Sequence, residues 1–385
     1  MIPLIYDRTK VVYDNTLKKD VMTGGLNNLG IGEVSEAISC VVTEERNGGF
    51  TMSMTVPETA QYLDQLNIGT LLCVDASPQQ KRQLFEIAKV TKNLKGQFTI
   101  YAEHISYRLL YSILKPFTET GLNNVLTHMG HNANGNNQST TYYVQGNGFE
   151  FNWNWTGGAA AAYTLSEYQS VKQTLLGSSG SVLDKYGGCY KWDNWTVTLY
   201  KERGADNGVK ILYGKNLTDI TAEYNNETEA TANGVLPIYK KDDSIIIGSI
   251  ATTSNRSLYT YGRTIVKDFT SDITVEDGES TSSIQTKLNT RAASYVSSNL
   301  RGVPDVNLKT SFVLLSDTVE YAGYANLESV EIDDTVHVYV PTLDVDVKAK
   351  VIKTNYNVLM DRYDSVEVGN FRTSINQAIR AVKGG

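Results

Sequence analysis

The chain has 385 residues, 41% of them hydrophobic and 20% charged, and a formal net charge of −7. That length exceeds the ~250–300 residues at which a single core stops growing, so several subdomains are expected. The acidic balance argues against broad, sequence-independent nucleic-acid binding, which needs a basic stripe. Cys40, Cys73 and Cys189, odd in number and far apart, suit neither a disulfide framework nor a metal clamp. No run approaches the ~18 consecutive apolar residues of a membrane span, and the N-terminus lacks an apolar signal core, so the expectation is a chain made in the cytoplasm that spans no membrane.

Residues 1–100 read as β. Ile38 to Val42 and Phe50 to Val56 flank Asn47-Gly48-Gly49, a reversal signal, and a second pair of strands is predicted at 69–75 and 84–90. From Tyr101 the period changes: Ile105, Leu109 and Leu110 fall at helical spacing, and "GLNNVLTHMG" predicts a second short helix. Residues 131–161, rich in Asn and Gly, read as a loop-rich surface excursion. Thr164-Leu165-Ser166-Glu167 has the form of a capping box, with Tyr168, Val171, Leu175 and Leu176 following on one face and Gly177 as the stop.

Residues 195–200 alternate, with Trp195, Val197 and Leu199 on one face, and Val209, Ile211 and Tyr213 alternate again. Ala205-Asp206-Asn207-Gly208 between them is turn chemistry, which predicts a β-hairpin ended by Gly214. Residues 221–265 are β-like, with polar turns such as Lys241-Asp242-Asp243. The clearest helix follows: Ile284, Leu288, Ala292, Tyr295, Val296 and Leu300 form one stripe, closed by Gly302 and Pro304. The chain then returns to β from Asn307 to Leu315 and from Asp334 to Val368.

One β-pattern occurs twice. "IGTLLCVD", "LFEIAKVTKN" and "QFTIYA" recur in outline as "DDTVHVYV", "DVKAKVIKTN" and "SVEVGN". Two distant copies point to a duplicated β-barrel module, each interrupted or followed by an α-containing insert. The fold class expected is α+β, mainly β.

Catalytic chemistry is sparse. His128-x-x-His131 places two imidazoles near each other without a third ligand close by, and His104 and His337 fall on a predicted helix and strand as structural residues. No nucleophile elbow, zinc-protease or Cys/His signature is present, and no glycine pair matches a phosphate loop. Asp333-Asp334 and Asp242-Asp243 read as solvated turn pairs. Phe151, Trp153 and Trp155 could stack on sugars, but a buried face packed on the nearby helix is the simpler reading. No catalytic residue, metal ligand or cofactor site is assigned.

The segment "LDKYGGCYKWDNWTVTLYKERGADNGVKILYGKNLTDI" resembles the signature of tail-associated hub proteins of long-tailed bacteriophages and prophages, a family labelled prophage tail endopeptidase or phage minor structural protein. The elements carrying the likeness are Tyr186, Gly187 and Gly188; Asp193 and Asn194; Arg203, Gly204, Asp206 and Gly208; and Tyr213, Gly214, Lys215, Asn216 and Leu217. "AEHISYRLL" and "DVKAKVIKTNYNVLMDRYDSVEVGN" extend it over nearly the whole chain.

The resemblance implies two tube-protein-like β-barrel subdomains and two smaller α/β subdomains, as in the baseplate hub of T-even phages. The division expected is a first barrel at 1–100, an α/β insert at 101–190, a second barrel at 191–240 with 325–370, a second insert at 241–324, and a tail at 371–385. It further implies a homotrimer at the virion tail tip. Expected partners there are the distal tail protein ring, the tape-measure protein and distal fibre or receptor-binding proteins, with phage DNA passing but not specifically bound. Family members often continue into a wall hydrolase or fibre, whereas this chain ends soon after the second barrel. The endopeptidase label is not carried over, since no catalytic signature is visible, and the motif glycines and Asn216 are expected to shape turns. The alternatives weighed are a cell-wall carbohydrate-binding adhesin and a peptidoglycan hydrolase component.

Overall fold

The computed structural model describes residues 1–130, 143–145, 148–155, 160–177, 180–212, 217–225, 229–241, 244–258, 261–303, 305–312, 330–341 and 345–369. The protein is α+β and dominated by strands. It divides into two compact units, one containing Met1–Ile220 with Lys309–Tyr339 and Lys348–Val368, the other built around Thr221–Leu308.

The first unit is organised by one long sheet. Ser39–Glu45 and Phe50–Pro57 pair antiparallel around the predicted reversal, with Cys40 opposite Met54 and Asn47 in the left-handed region at φ 54°. Phe50, Met52, Met54 and Val56 are all buried. This is a period-2 face whose burial contributes roughly 1.5–3 kcal/mol per side chain. The second predicted pair, Leu71–Val74 and Gln83–Lys92, is antiparallel and continues into Gln97–His104.

Both copies of the repeated pattern form three sequential strands that neighbour one another. The first is Leu71–Val74, Gln83–Lys92 and Gln97–His104; the second is Thr335–Val340, Val345–Asn357 and Arg362–Gly369. One continuous sheet holds them, because Val345–Asn357 pairs antiparallel with Ser39–Glu45, Lys353 opposite Glu45.

Three local expectations are corrected. The segment after Gln97–His104 coils as a 3-10 helix, Ile105–Tyr111, rather than an α-helix. The strand holds the chain as far as His104, leaving a short connector of the kind that 3-10 geometry serves. Thr164 and Leu165 lie in a strand, Ala162–Leu165, paired with Phe117–Thr120. The helix α2, Val171–Leu176, is capped instead by Ser170, whose Oγ accepts the Gln173 N–H at 3.3 Å and donates to Gln173 Oε1 at 2.9 Å. This Ser-x-x-Gln box lies six residues beyond the Thr-x-x-Glu one, which cross-strand pairing has already claimed. Finally, Thr196–Tyr200 does not form a hairpin with the strand that follows it. It pairs antiparallel with the preceding Cys189–Asp193 and parallel with Glu150–Asn154, while Lys210–Leu212 pairs parallel with Thr335–Val340. Asn194 at φ 47° makes the tighter two-residue loop, and such loops match strand twist.

The predicted helix α1 is present as Leu122–Gly130, and α3 spans Val182–Tyr186. Most of the Asn-rich excursion (131–142, 146–147 and 156–159) lies outside the described residues. In the second unit, α4 (Thr281–Asn299) covers one face of a sheet made of Gly234–Lys241, Ser244–Ile247, Ala251–Thr252 and Thr264–Asp268. Ser280 caps α4, accepting the Ser283 N–H. Ile284, Leu288, Ala292, Val296 and Leu300 bury the predicted stripe against Val235, Ile246 and Phe269.

Candidate functional site

The motif residues of 186–208 gather around a buried network of charges. Arg203 follows the Thr196–Tyr200 strand and reaches Glu44 on Ser39–Glu45, with Nη1 2.8 Å from Oε1 and both side chains at most 5% exposed. The same Nη1 donates to the Tyr190 carbonyl at 3.0 Å. Burial opposes the Arg203 charge, but Glu44, Cys189 and Glu331 outweigh it and hold its pKa above the ordinary guanidinium value.

Beside this pair lie Asp333 and Asp334, which the sequence reading placed in solvent. Both are buried. Asp333 accepts from Arg46 Nε at 2.7 Å and from the Arg203 backbone N–H at 3.2 Å, and Lys350 Nζ lies 3.5 Å away. Asp334 accepts the Ala205 N–H at 2.8 Å and the Glu331 N–H at 2.8 Å. Burial raises the Asp334 pKa, and those backbone donors work against the rise. The pair is buried because the chain at 203–205 lies across it. A Cβ on Gly204 would sit 2.0 Å from the Asp333 carbonyl oxygen, so the backbones approach as only glycine permits.

The rest of the motif acts as clips and turns. Asn194 Oδ1 accepts the Leu84 N–H at 2.8 Å, and its Nδ2 donates to the Arg82 carbonyl at 3.1 Å. Asp193 accepts from Gln83 Nε2 at 2.9 Å. Gly187 (φ 75°) ends α3, and the Tyr186 hydroxyl donates to the Ala161 carbonyl. Gly188 (φ 100°) offers its carbonyl to Asn47 Nδ2, and Asn47 Oδ1 accepts the Tyr190 N–H. Asp206 pairs with Lys348 at 2.7 Å and accepts the Gly208 N–H. Leu217 opens the Leu217–Asn225 strand, whereas Tyr213, Gly214, Lys215 and Asn216 lie outside the described residues.

Gly208 has φ 75° with open space where a Cβ would be. Gly208→Val is therefore expected to lower stability by about 1–3 kcal/mol through backbone strain alone. Thermal melting of that variant checks it, and an unchanged transition would refute the strain.

A second buried cation stands in the same unit. Lys172, on α2, places Nζ 3.8 Å from the Trp192 ring centroid and 4.7 Å from that of Tyr107, and donates to Ser106 Oγ at 3.3 Å. Burial pushes its pKa down to about 7, with Glu103 acting in the opposite direction. Nearby His104 is buried, stacked 4.3 Å from Phe50, and bonded to Gln83; burial first and Lys172 second hold its pKa well below the imidazole range.

The remaining candidates do not converge. His128 stacks 4.0 Å from Phe117 and pairs with Glu119, while His131 lies outside the described residues. His337 is on the Thr335–Val340 strand. Among the described residues no three His, Cys, Asp or Glu groups are placed to hold a metal ion, and no helix is long and apolar enough to cross a membrane. Phe151 is buried, Trp153 and Trp155 are half-buried, and Trp155 packs beside Gly188.

Sequence reasoning missed Glu44, Arg46, Asp333 and Asp334 as members of this network. Its one available signal was the arginine standing among the motif's turn-forming residues. Chemically, the oxygens of Asp333 and Asp334 are engaged by donors of the protein itself, an arrangement suited to holding chain segments together.

Residues 205–379 match the family described as prophage endopeptidase tail. No curated protein sequence matches the chain. Among solved structures, the prophage tail protein gp18 from Listeria monocytogenes EGD-e is 14% identical, with all of both chains covered and a TM-score of 0.54. The 43 kDa tail protein of prophage MuSo2 from Shewanella oneidensis is 10% identical, covering 88% of this chain and 96% of that one, with a TM-score of 0.56. A tail protein from Neisseria meningitidis MC58 is 9% identical over 91% and 96%, with a TM-score of 0.53. Residues 205–379 are thus similar to the prophage endopeptidase tail family, and the chain over its whole length has the fold of these prophage tail proteins.

Proposed function

We propose that this protein is a structural component of a phage or prophage tail, a hub at the distal tip that works by assembly rather than by catalysis. The observation that carries this reading is the fate of the motif's polar groups. The side chains of Arg203, Asp193, Asn194 and Asp206 bind other segments of the same chain. Such a network makes a rigid body rather than a substrate site. The similarity of the whole chain to prophage tail proteins supports the same conclusion.

In this proposal each three-strand repeat is the centre of one barrel subdomain, with α/β inserts after the first barrel and within the second. Two barrels per chain in a homotrimer make a pseudo-sixfold ring, which can stack on a sixfold tail tube and continue or close its channel. The distal tail ring and the tape-measure protein lie on one side, and fibre, receptor-binding or wall-degrading parts on the other. Light scattering of the purified chain over a concentration range tests it. A mass near three times 42.5 kDa is expected. A monomer that persists at every concentration would count against a ring formed by this chain alone.

A further inference from the structure

Five asparagines of the chain precede a glycine: Asn47, Asn134, Asn147, Asn207 and Asn233. Such a pair is open to one spontaneous reaction, because glycine has no Cβ to keep the asparagine side chain away from the following nitrogen. That nitrogen attacks the asparagine Cγ, a C–N bond forms, and Nδ2 takes up a proton and leaves as ammonia. Water then opens the cyclic imide at either carbonyl, giving aspartate or isoaspartate with no change of oxidation state. The reaction needs a side chain free to turn onto the next nitrogen, and it needs water.

Asn134 and Asn147 lie outside the described residues, and the other three are held very differently. Asn47 is clamped: its Nδ2 donates to the Gly188 carbonyl at 3.0 Å, its Oδ1 accepts the Tyr190 N–H at 2.9 Å, and the Gly48 N–H donates to the Glu45 carbonyl at 3.0 Å. Asn233 is buried, its Oδ1 accepts the Arg263 N–H at 2.8 Å, and Gly234 sits in a strand with partners on both sides, Thr252 and Thr264. Asn207 is exposed, and among the described residues no hydrogen bond holds its side chain. Its loop is tied at both ends to one strand. The Thr335 N–H donates to the Ala205 carbonyl and the His337 N–H to the Val209 carbonyl, each at 2.9 Å. Four residue steps on one side therefore match two on the other, so 206–208 bulge away from the strand. The Gly208 N–H donates to Asp206 Oδ1 at 3.1 Å. That bond runs along the peptide plane and leaves open the face by which the nitrogen attacks.

We infer that Asn207 is a deamidation site of the folded protein, whereas Asn47 and Asn233 react only when the fold opens around them. Both anchors lie outside the reacting pair, so 206–208 can rearrange while Ala205 and Val209 stay bonded. Asn47 must first give up two hydrogen bonds, which slows it by about tenfold or more. The product places a new carboxylate beside Asp206 and its partner Lys348. The inference does not depend on the tail reading.

Incubation of the full chain at mildly alkaline pH, folded in one sample and unfolded in guanidinium chloride in another, followed by tryptic peptide mapping with mass spectrometry, tests the site. The peptide 204–210 holds no other asparagine, so a conversion in it reports on Asn207 alone. In denaturant, Asn47, Asn207 and Asn233 are expected to convert at similar rates. In the folded chain, Asn207 keeps converting while the other two slow by about tenfold or more. Folding that slows Asn207 as much as Asn47 would overturn the inference, and so would Asn47 or Asn233 converting as fast as Asn207 in the folded chain. Asn207→Gln, whose longer side chain closes the larger ring slowly, should abolish the conversion in peptide 204–210; an undiminished conversion there would also overturn it.

Discussion

Arg203→Met is expected to destabilise the first unit by about 3–5 kcal/mol, the scale for removing one partner of a buried ion pair. The substitution keeps much of the side-chain volume, so the loss is electrostatic. Glu44 would remain buried without its cation, and the Tyr190 carbonyl would lose its Nη1 donor. A fall of roughly 10 °C in the melting temperature of that unit corresponds to this loss. The double variant Arg203→Met with Glu44→Leu should recover a large part of it, because an apolar replacement of both members leaves no stranded charge. If the single variant melts with the parent, or the double variant is no better than the single, the clasp is not what holds 203–205 to the sheet. The two variants together separate the charge from general packing, since a packing defect would deepen in the double variant.

Lys172→Met should act in the opposite direction and show its origin through pH. The Lys172 pKa lies near 7 in the folded protein against an ordinary 10.5, the result of burial. Between those values the unfolded chain holds a proton that the folded chain has released, so this group makes stability rise with pH across the window and leaves it level below pH 7. The full difference is on the order of 5 kcal/mol, at about 1.4 kcal/mol per pH unit. The charged form is partly supported by the Trp192 and Tyr107 rings and by Ser106, contacts the methionine gives up.

Lys172→Met is therefore expected to gain most relative to the parent at or below pH 7 and to lose that gain as pH approaches 10. Comparing the two proteins at each pH removes contributions they share. These include Cys40 and Cys73, whose pKa values burial pushes up to about 12 and which weaken the fold at high pH in both. Parallel stability profiles for the two proteins would show that Lys172 does not titrate in that window.

The amino-acid sequence alone determined the elements whose partners are near in the chain. Alternation together with Asn47-Gly48-Gly49 marked the Ser39–Glu45 and Phe50–Pro57 hairpin, and the stripe of Ile284, Leu288, Ala292 and Val296 marked α4 and its buried face. It also marked the repeated β-pattern and the motif, because turn chemistry and glycine placement are properties of short segments. Tertiary structure decided the rest. Period 2 identifies Thr196–Tyr200 as a strand but carries no information on whether its neighbour precedes or follows it, and pairing energies between segments made that choice. Asp333 and Asp334 carry turn chemistry either way. They are buried because Arg46, Lys350 and the backbone at 203–205, distant in sequence, supply the charge and donors that make burial tolerable. Desolvation depends on what surrounds a group in space, and no local pattern encodes it.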